Sequence, residues 1–279
     1  MVNLRSYEQV VQELGYLKNY GNRVSAIGES TQGRKIYQIT IGNGGKKILV
    51  VCRQHGDEPT STEAMMNYAG LLLFNEDLIE NVSVSIIPMA NPDGAELYWR
   101  LWMSRTPKIL LHNMTRKIKV YRSDINRDHK NKKTPEARAI ARAVEETKPD
   151  VIIDLHNFYF SYREYFSYRE STSNESIYDF GTRISRNPGI EREIIIKSVR
   201  ISKIVEKAVK RIGGNPEDIL KVFEEELLHT YYPLHHQIPS IAFETVGECT
   251  WHPGILKRGK KLHKASVSAV VEELAKNAI

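Results

Sequence analysis

Apolar residues in this chain gather in short runs separated by segments with helical spacing. Lys47–Cys52 is an almost continuous run of Ile, Leu and Val, and Val151–Leu155 is similar. Such runs predict strands buried on both faces, as in a parallel sheet. Small and apolar residues recur at helical spacing in 61–73, where Ser or Thr could serve as N-cap, and in 134–144, where Pro stands in the first turn. We therefore predict an α/β fold, a mixed, mostly parallel β-sheet flanked by helices.

Residues of metal-binding type follow both apolar runs. His55 and Glu58 come after the first run, and their spacing allows both side chains to close on one metal ion. His156 stands at the end of the second run, and in open α/β sheets ligands bind at the carboxyl ends of strands. A catalytic zinc keeps three protein ligands and one water. A lone buried His is more often structural, but beside the first pair His156 is the natural third ligand.

A third apolar run, Ile238–Phe243, ends on Glu244 shortly before Gly247. A carboxylate at a strand end is usually just solvated. Here the other strand ends already carry metal-binding residues, so Glu244 becomes a candidate for catalysis.

Six motifs in order resemble the zinc carboxypeptidases of peptidase family M14, from about Tyr7 to Gly247. They are Ile27–Ile36, His55–Glu58, Asn91–Gly94, Asp124–Asp128, Asp154–His156 and Phe243–Thr245. The resemblance implies a zinc carboxypeptidase-like fold. It also implies one Zn²⁺ per chain, held by His55, Glu58 and His156.

The same resemblance assigns roles to the remaining candidates. Glu244 would be the general acid/base that takes a proton from a zinc-activated water. Asp124 would orient the ring of His55. Asn126 and Arg127 would grip the substrate's terminal carboxylate, for which a guanidinium fork is well suited. From the residues alone, without the zinc motifs, the segment around Arg127 is more typical of a polar turn with a surface ion pair.

The sequence departs from the family pattern at two places. Met103 stands where the family commonly carries an oxyanion-stabilising Arg, so Arg100 or Arg105 would have to substitute, and we take Arg105 as the substrate-binding candidate. The tyrosine that closes over substrate in digestive members has no clean match either, because Val222 falls at its position. The nearest tyrosines lie in a His-rich run, 229–236, which we interpret as packing beside a strand rather than as a second metal cluster.

Composition limits the other possibilities. At 279 residues and 41% hydrophobic, the chain can form one large core, and no linker divides it, so we predict a single domain over residues 1–279. No apolar stretch approaches the roughly 18 residues of a membrane helix. Met1–Tyr7 lacks the apolar core of a signal peptide. Cys52 and Cys249 favour reduced thiols, which points to the cytoplasm.

The net charge of +6 raises the question of nucleic acid as a partner. The basic runs are short and are not interleaved with aromatic residues, so we do not expect nucleic acid as the main partner. A hexapeptide repeats in tandem over 159–170. It could form a substrate-facing aromatic loop or an edge hairpin, and two copies do not predict a solenoid.

The function expected from these features is a zinc metallocarboxypeptidase that hydrolyses the C-terminal peptide bond. The first alternative is an acyl-amino-acid deacylase of the aspartoacylase and succinylglutamate desuccinylase type, so the substrate is expected to be a peptide or an N-acyl amino acid. The second is an inactive zinc-binding module. A structural zinc would normally be closed by a fourth protein ligand, which argues against that module. The oligomeric state stays open.

Overall fold

The computed structural model describes residues 4–104, 124–158, 180–246 and 253–276. Within these ranges the strands are β1 (Arg23–Glu29), β2 (Lys35–Ile41), β3 (Lys46–Cys52), β4 (Val82–Ile87), β5 (Val151–Phe158), β6 (Phe180–Ser185), β7 (Pro216–Lys221) and β8 (Ser240–Val246). The helices are α1 (Tyr7–Asn19), α2 (Pro59–Leu72), α3 (Glu76–Asn81), α4 (Pro92–Met103), α5 (Pro135–Thr147), α6 (Arg192–Arg211), α7 (Leu228–His236) and α8 (Pro253–Ala275). A 3₁₀ turn spans Ile125–Arg127. Arg105, Cys249 and the repeat over 159–170 lie outside the described residues.

The strands form one eight-stranded sheet in the order β1-β2-β4-β3-β5-β8-β6-β7. The central strands β4, β3, β5 and β8 run parallel to one another, whereas β2 pairs antiparallel with both neighbours and β6 pairs antiparallel with β8. The prediction of a mixed, mostly parallel sheet is confirmed. This order brings the carboxyl ends of β3, β5 and β8 to one edge of the sheet.

Both faces of the sheet are covered, which explains the continuous apolar runs. In β3, Ile48 and Val50 face one core, which α2, α6 and α8 cover. Leu49 and Val51 face the second core, which α5 and α7 cover. Strand side chains alternate between the two faces, so a strand covered on both needs apolar residues at every position. Cys52 lies buried in the first core as a free thiol.

Helix starts agree with the sequence at α5 and differ at α2. Thr134 caps α5, its side chain accepting from the Ala137 amide at 3.2 Å, with Pro135 as the first helical residue. The predicted Ser or Thr cap of α2 is wrong, because that helix begins at Pro59 and places Glu58 at the N-cap without a capping hydrogen bond. Glu58 cannot cap the helix because both of its carboxylate oxygens contact histidines.

The helices show no membrane-spanning character. Among the residues that the structure describes, no helix is both long enough and apolar enough to cross a bilayer.

Candidate metal centre and active site

Three side chains converge where β3 and β5 end. His55 Nδ1 lies 2.8 Å from Glu58 Oε1, and His156 Nδ1 lies 3.0 Å from Glu58 Oε2. One ligand atom from each residue lies within 4.8 Å of the others, and all three residues are buried. Two imidazoles and a carboxylate form a donor set that zinc favours. The group therefore fits a zinc ion, and the three residues come together as the sequence predicts.

The outward nitrogens of both histidines are also held. His55 Nε2 lies 3.2 Å from Asp124 Oδ1. His156 Nε2 lies 2.8 Å from Asp154 Oδ2 and 3.3 Å from Asn126 Nδ2. A partner on the outer nitrogen fixes the ring and its tautomer, which leaves Nδ1 free to bind a metal. Asp124 thus contacts the histidine that the resemblance assigns to it.

A buried polar chain supports the His156 side of the group. Gln54 donates from Nε2 to Asp154 Oδ1 at 2.7 Å, and its Oε1 lies 2.8 Å from His129 Nε2. Asp154, Gln54 and His129 are all 0% exposed. Gln54 thus links His129 to the carboxylate that supports the His156 ring. Sequence reasoning missed Gln54 and His129, since neither belongs to a spacing motif.

The charges of the three ligand residues and their neighbours strongly shift one another's pKa values. Burial raises the pKa of Glu58, but the neighbouring His55 and His156 outweigh burial and hold this pKa well below its usual range. Burial lowers the pKa of His156, but Asp154 and Glu58 outweigh burial and raise it well above its ordinary value. The carboxylates around His156 thus favour its protonated form, and zinc binding would have to displace that proton.

Close backbone packing shapes the turn that carries His55 and Glu58. A Cβ atom built on Gly56 would lie 2.2 Å from the carbonyl carbon of Gly94, so only glycine fits there. Arg53, with φ of 55°, is fully buried and donates from Nε to the Gly56 carbonyl at 3.0 Å. Two of the sequence motifs, around Gly56 and Gly94, are thus two sides of one contact.

The group lies in a cavity of about 420 Å³. The predicted residues Asp124, Asn126, Arg127 and Glu244 line the same cavity. Arg127 is half-exposed and lies 3.5 Å from Asp124 and 3.2 Å from Glu224.

The oxyanion candidates divide between two parts of the chain. Arg100 points to Glu96 on α4, with Nε 2.8 Å from the carboxylate, and does not line the cavity. Arg105 lies outside the described residues. Met103, which stands where the family pattern expects an Arg, is half-exposed.

Arg183 is a site residue that the sequence did not reveal. It lines the cavity from β6 and forms a bidentate ion pair with Glu244 of β8. Its Nη2 donates to Oε2 at 2.8 Å, and its Nε donates to Oε1. In the antiparallel β6–β8 pairing, Gly181 lies opposite Glu244, which places Arg183 two positions further along. No local signal indicates this pairing because it depends on the register of two strands that are far apart in the chain.

The His-rich run divides between cavity and surface. His229 lines the cavity, and neither of its ring nitrogens has a hydrogen-bond partner among the described residues. His235 instead pairs with Glu225 at 2.7 Å. In the part of the chain that the structure describes, the group of His55, Glu58 and His156 is the one cluster with metal-binding geometry. This agrees with interpreting the run as packing.

Comparisons with known proteins agree with this geometry. A family model described as zinc carboxypeptidase matches residues 7–180. Human carboxypeptidase D is 30% identical over an alignment of 108 residues, and the match covers 33% of this chain and 8% of that protein. Gamma-D-glutamyl-L-diamino acid endopeptidase 1 of Lysinibacillus sphaericus is 34% identical over an alignment of 83 residues, and the match covers 25% of this chain and 21% of that protein.

A solved structure is similar over nearly the whole chain. The crystal structure of a metallo-carboxypeptidase from Burkholderia cenocepacia aligns with a TM-score of 0.70 at 16% identity, covering 99% of this chain and 70% of that one. This likeness confirms the fold. The curated relatives are much longer than the matched segments, which span 8% and 21% of their length.

The family model covers more than half of the chain and includes all three residues of the metal group. With the fold in agreement, the chain belongs to the zinc carboxypeptidase family, whose members use zinc.

Proposed function

We propose that the protein is a zinc-dependent metallocarboxypeptidase that hydrolyses the C-terminal peptide bond of its substrate. The observation that carries the proposal is the position of Glu244 beside the metal group. Glu244 lies opposite His156 in the β5–β8 register and lines the same cavity. A carboxylate next to an open three-ligand zinc site is the arrangement that hydrolysis requires.

The residues have separate tasks. Bound zinc would supply Lewis-acid chemistry, lowering the pKa of water and polarising the scissile carbonyl. Glu244 accepts the proton of the attacking water and returns it to the leaving amine. Asp124 and Asp154 keep the two imidazoles oriented through their outer nitrogens.

Asn126 and Arg127 are the anchor for the terminal carboxylate. Both lie in the 3₁₀ turn at the cavity wall. Arg127 is 52% exposed in its contacts with Asp124 and Glu224, and exposed ion pairs of this kind contribute only about 0–1 kcal/mol. A substrate carboxylate in a drier position can therefore compete for the guanidinium group.

The first experiment separates an enzyme from a zinc-binding module. Glu244→Gln keeps the side-chain shape but cannot accept a proton, so turnover should fall by roughly two to four orders of magnitude. Zinc content, measured by elemental analysis, should stay at one per chain. Glu225→Gln is the matched control, since Glu225 pairs with Lys130 outside the cavity. Undiminished turnover in Glu244→Gln would remove this residue from the mechanism.

The second experiment tests cleavage at the chain end. Amidating the C-terminus of a peptide substrate should abolish cleavage, and Arg127→Ala should lose about 2–5 kcal/mol of transition-state binding to the free acid. Arg138→Ala, on the outer surface of α5, is the control. Equal cleavage of amidated and free peptides would refute the exopeptidase. Faster hydrolysis of N-acyl amino acids than of peptides would favour the deacylase alternative.

A further inference from the structure

One wall of the cavity carries positive charge that the proposed mechanism does not use. We call it the β6–β7 wall, formed by Arg183 of β6 and Lys221 of β7. In the parallel β6–β7 pairing, Arg183 lies opposite Ile219 and Ser185 lies opposite Lys221. Arg183 and Lys221 are therefore offset by one side-chain repeat and project from the same face of the sheet.

The pairing of Arg183 with Glu244 indicates what this wall can bind. Nε and Nη2 of the guanidinium group both donate to the carboxylate, which is the bidentate geometry that arginine often adopts with carboxylates. The side chains are 29% and 16% exposed, so the pair is largely sheltered from solvent. The cavity thus already holds one carboxylate against this wall, in an orientation that a ligand could reproduce.

His229 adds polar capacity on the adjoining helix. It is 3% exposed, and neither ring nitrogen has a hydrogen-bond partner in the described ranges. A buried polar group without a partner is unfavourable, so a ligand that supplies one is favoured. Burial lowers the pKa of His229 to about 4, and the neutral ring offers one donor and one acceptor.

The remaining lining residues fit a short acidic side chain. Phe223 and Leu227 supply apolar surface for methylene groups. Glu224 also lines the cavity and its negative charge acts on Lys221, but its carboxylate is paired with Arg127 at 3.2 Å. The α-carboxylate of the substrate is assigned to Asn126 and Arg127. The β6–β7 wall is therefore left for a different group.

We propose that the β6–β7 wall, with His229, recognises a second carboxylate on the side chain of the substrate's C-terminal residue, so that the preferred substrates are peptides ending in Glu or Asp. This inference rests on the proposed carboxypeptidase activity. An acidic side chain would take the place of Glu244 on Arg183 and release Glu244 to act on water. Recognition and catalysis would then be coupled through a single guanidinium group.

The experiment compares two peptides that differ only in a C-terminal Glu or Gln. The wild type should cleave the Glu peptide with a kcat/KM at least about tenfold higher, through both a lower KM and a higher kcat, because only Glu makes a charge-assisted contact and displaces Glu244 from Arg183. Arg183→Gln should remove this ratio, whereas Arg183→Lys should keep part of it because the charge remains. Lys197→Gln removes a positive charge on α6 outside the cavity and should keep the full ratio. Thermal melts of each variant check folding.

Several outcomes would overturn the inference while leaving the proposed function intact. One is equal cleavage of both peptides by the wild type. Another is an equal loss on both peptides in Arg183→Gln, which would show that Arg183 acts on Glu244 or on the α-carboxylate. If no peptide is cleaved although zinc is bound, the proposed function fails separately. Calorimetry with free L-glutamate and L-glutamine then tests whether the β6–β7 wall binds a side-chain carboxylate. Glutamate binding no tighter than glutamine binding would refute the inference.

Discussion

His156 and His229 line one cavity and are equally buried, at 3% exposure, yet their ring nitrogens are in opposite situations. His156 has a carboxylate at each nitrogen, from Glu58 and Asp154. His229 packs edge-on against Phe223, with ring centroids 4.9 Å apart, and has no hydrogen-bond partner within the described residues. As a result, the pKa of His156 is raised well above its ordinary value and that of His229 is lowered to about 4.

Burial alone therefore does not decide what a histidine does. Desolvation acts on both rings and disfavours the charged form in both. The difference comes from direct contact: Asp154 of β5 and Glu58 both contact the His156 ring, whereas the ring nitrogens of His229 have no hydrogen-bond partner among the described residues. The His156 ring, held by carboxylates, is oriented to bind a metal cation. The neutral His229 ring, which no carboxylate holds, can instead bind a neutral or acidic group of a ligand.

The largest expected effect is on metal binding. His156→Ala removes one of three ligands and should lower zinc affinity by more than the roughly 10–100-fold that losing an outer partner costs. His229→Ala should keep one zinc per chain. Elemental analysis after dialysis against a weak chelator measures both. Full zinc retention in His156→Ala would break the comparison, because it would mean that His156 is not a ligand.

The next effect is on the pH dependence of stability. The pKa of His229 falls from an ordinary value of 6.5 to about 4 on folding. Between these values the unfolded chain binds the proton and the folded protein does not, so this contribution is present above pH 6.5 and is lost as the pH falls towards 4. His229→Phe should therefore lose about 2–3 kcal/mol less stability than the wild type between pH 7 and pH 4.5.

Urea denaturation at the two pH values measures this difference. His129 and His263 also have pKa values lowered by burial, to about 4 and about 3. They titrate in both proteins, so their contribution cancels. Parallel pH profiles for wild type and His229→Phe would show that His229 is not buried in neutral form.

The smallest effect sharpens the role of the carboxylate partner. Asp154→Asn keeps the shape but removes the charge beside His156 Nε2, and zinc affinity should fall by roughly 10–100-fold. The metal should still bind, because all three ligands remain. Competition with a chromophoric chelator measures the affinity. The control is Asp218→Asn, which removes an acidic side chain of β7 that pairs with Lys203 of α6. This variant should leave zinc affinity unchanged.

Much of the metal site could be predicted because its information is local. The apolar run that becomes β3 and the spacing of His55 and Glu58 place two ligands on one turn, whatever the rest of the chain does. The apolar run of β5 carries His156 to a strand end in the same way. Because parallel strands align their carboxyl ends, these local patterns were sufficient to predict the convergence of the ligands.

The other wall of the cavity depends on tertiary structure. The contact between Arg183 and Glu244 requires that β6 pair antiparallel with β8 in one register, and a shift of one residue would turn Arg183 to the opposite face. The cap of α2 was predicted wrongly for a related reason, since Glu58 is drawn to His156 from a distant strand. The sequence by itself determined the ligand types, the α/β class and the family motifs. Only the packing of the strands decided which charges meet in the cavity, because register and burial are properties of the assembled sheet.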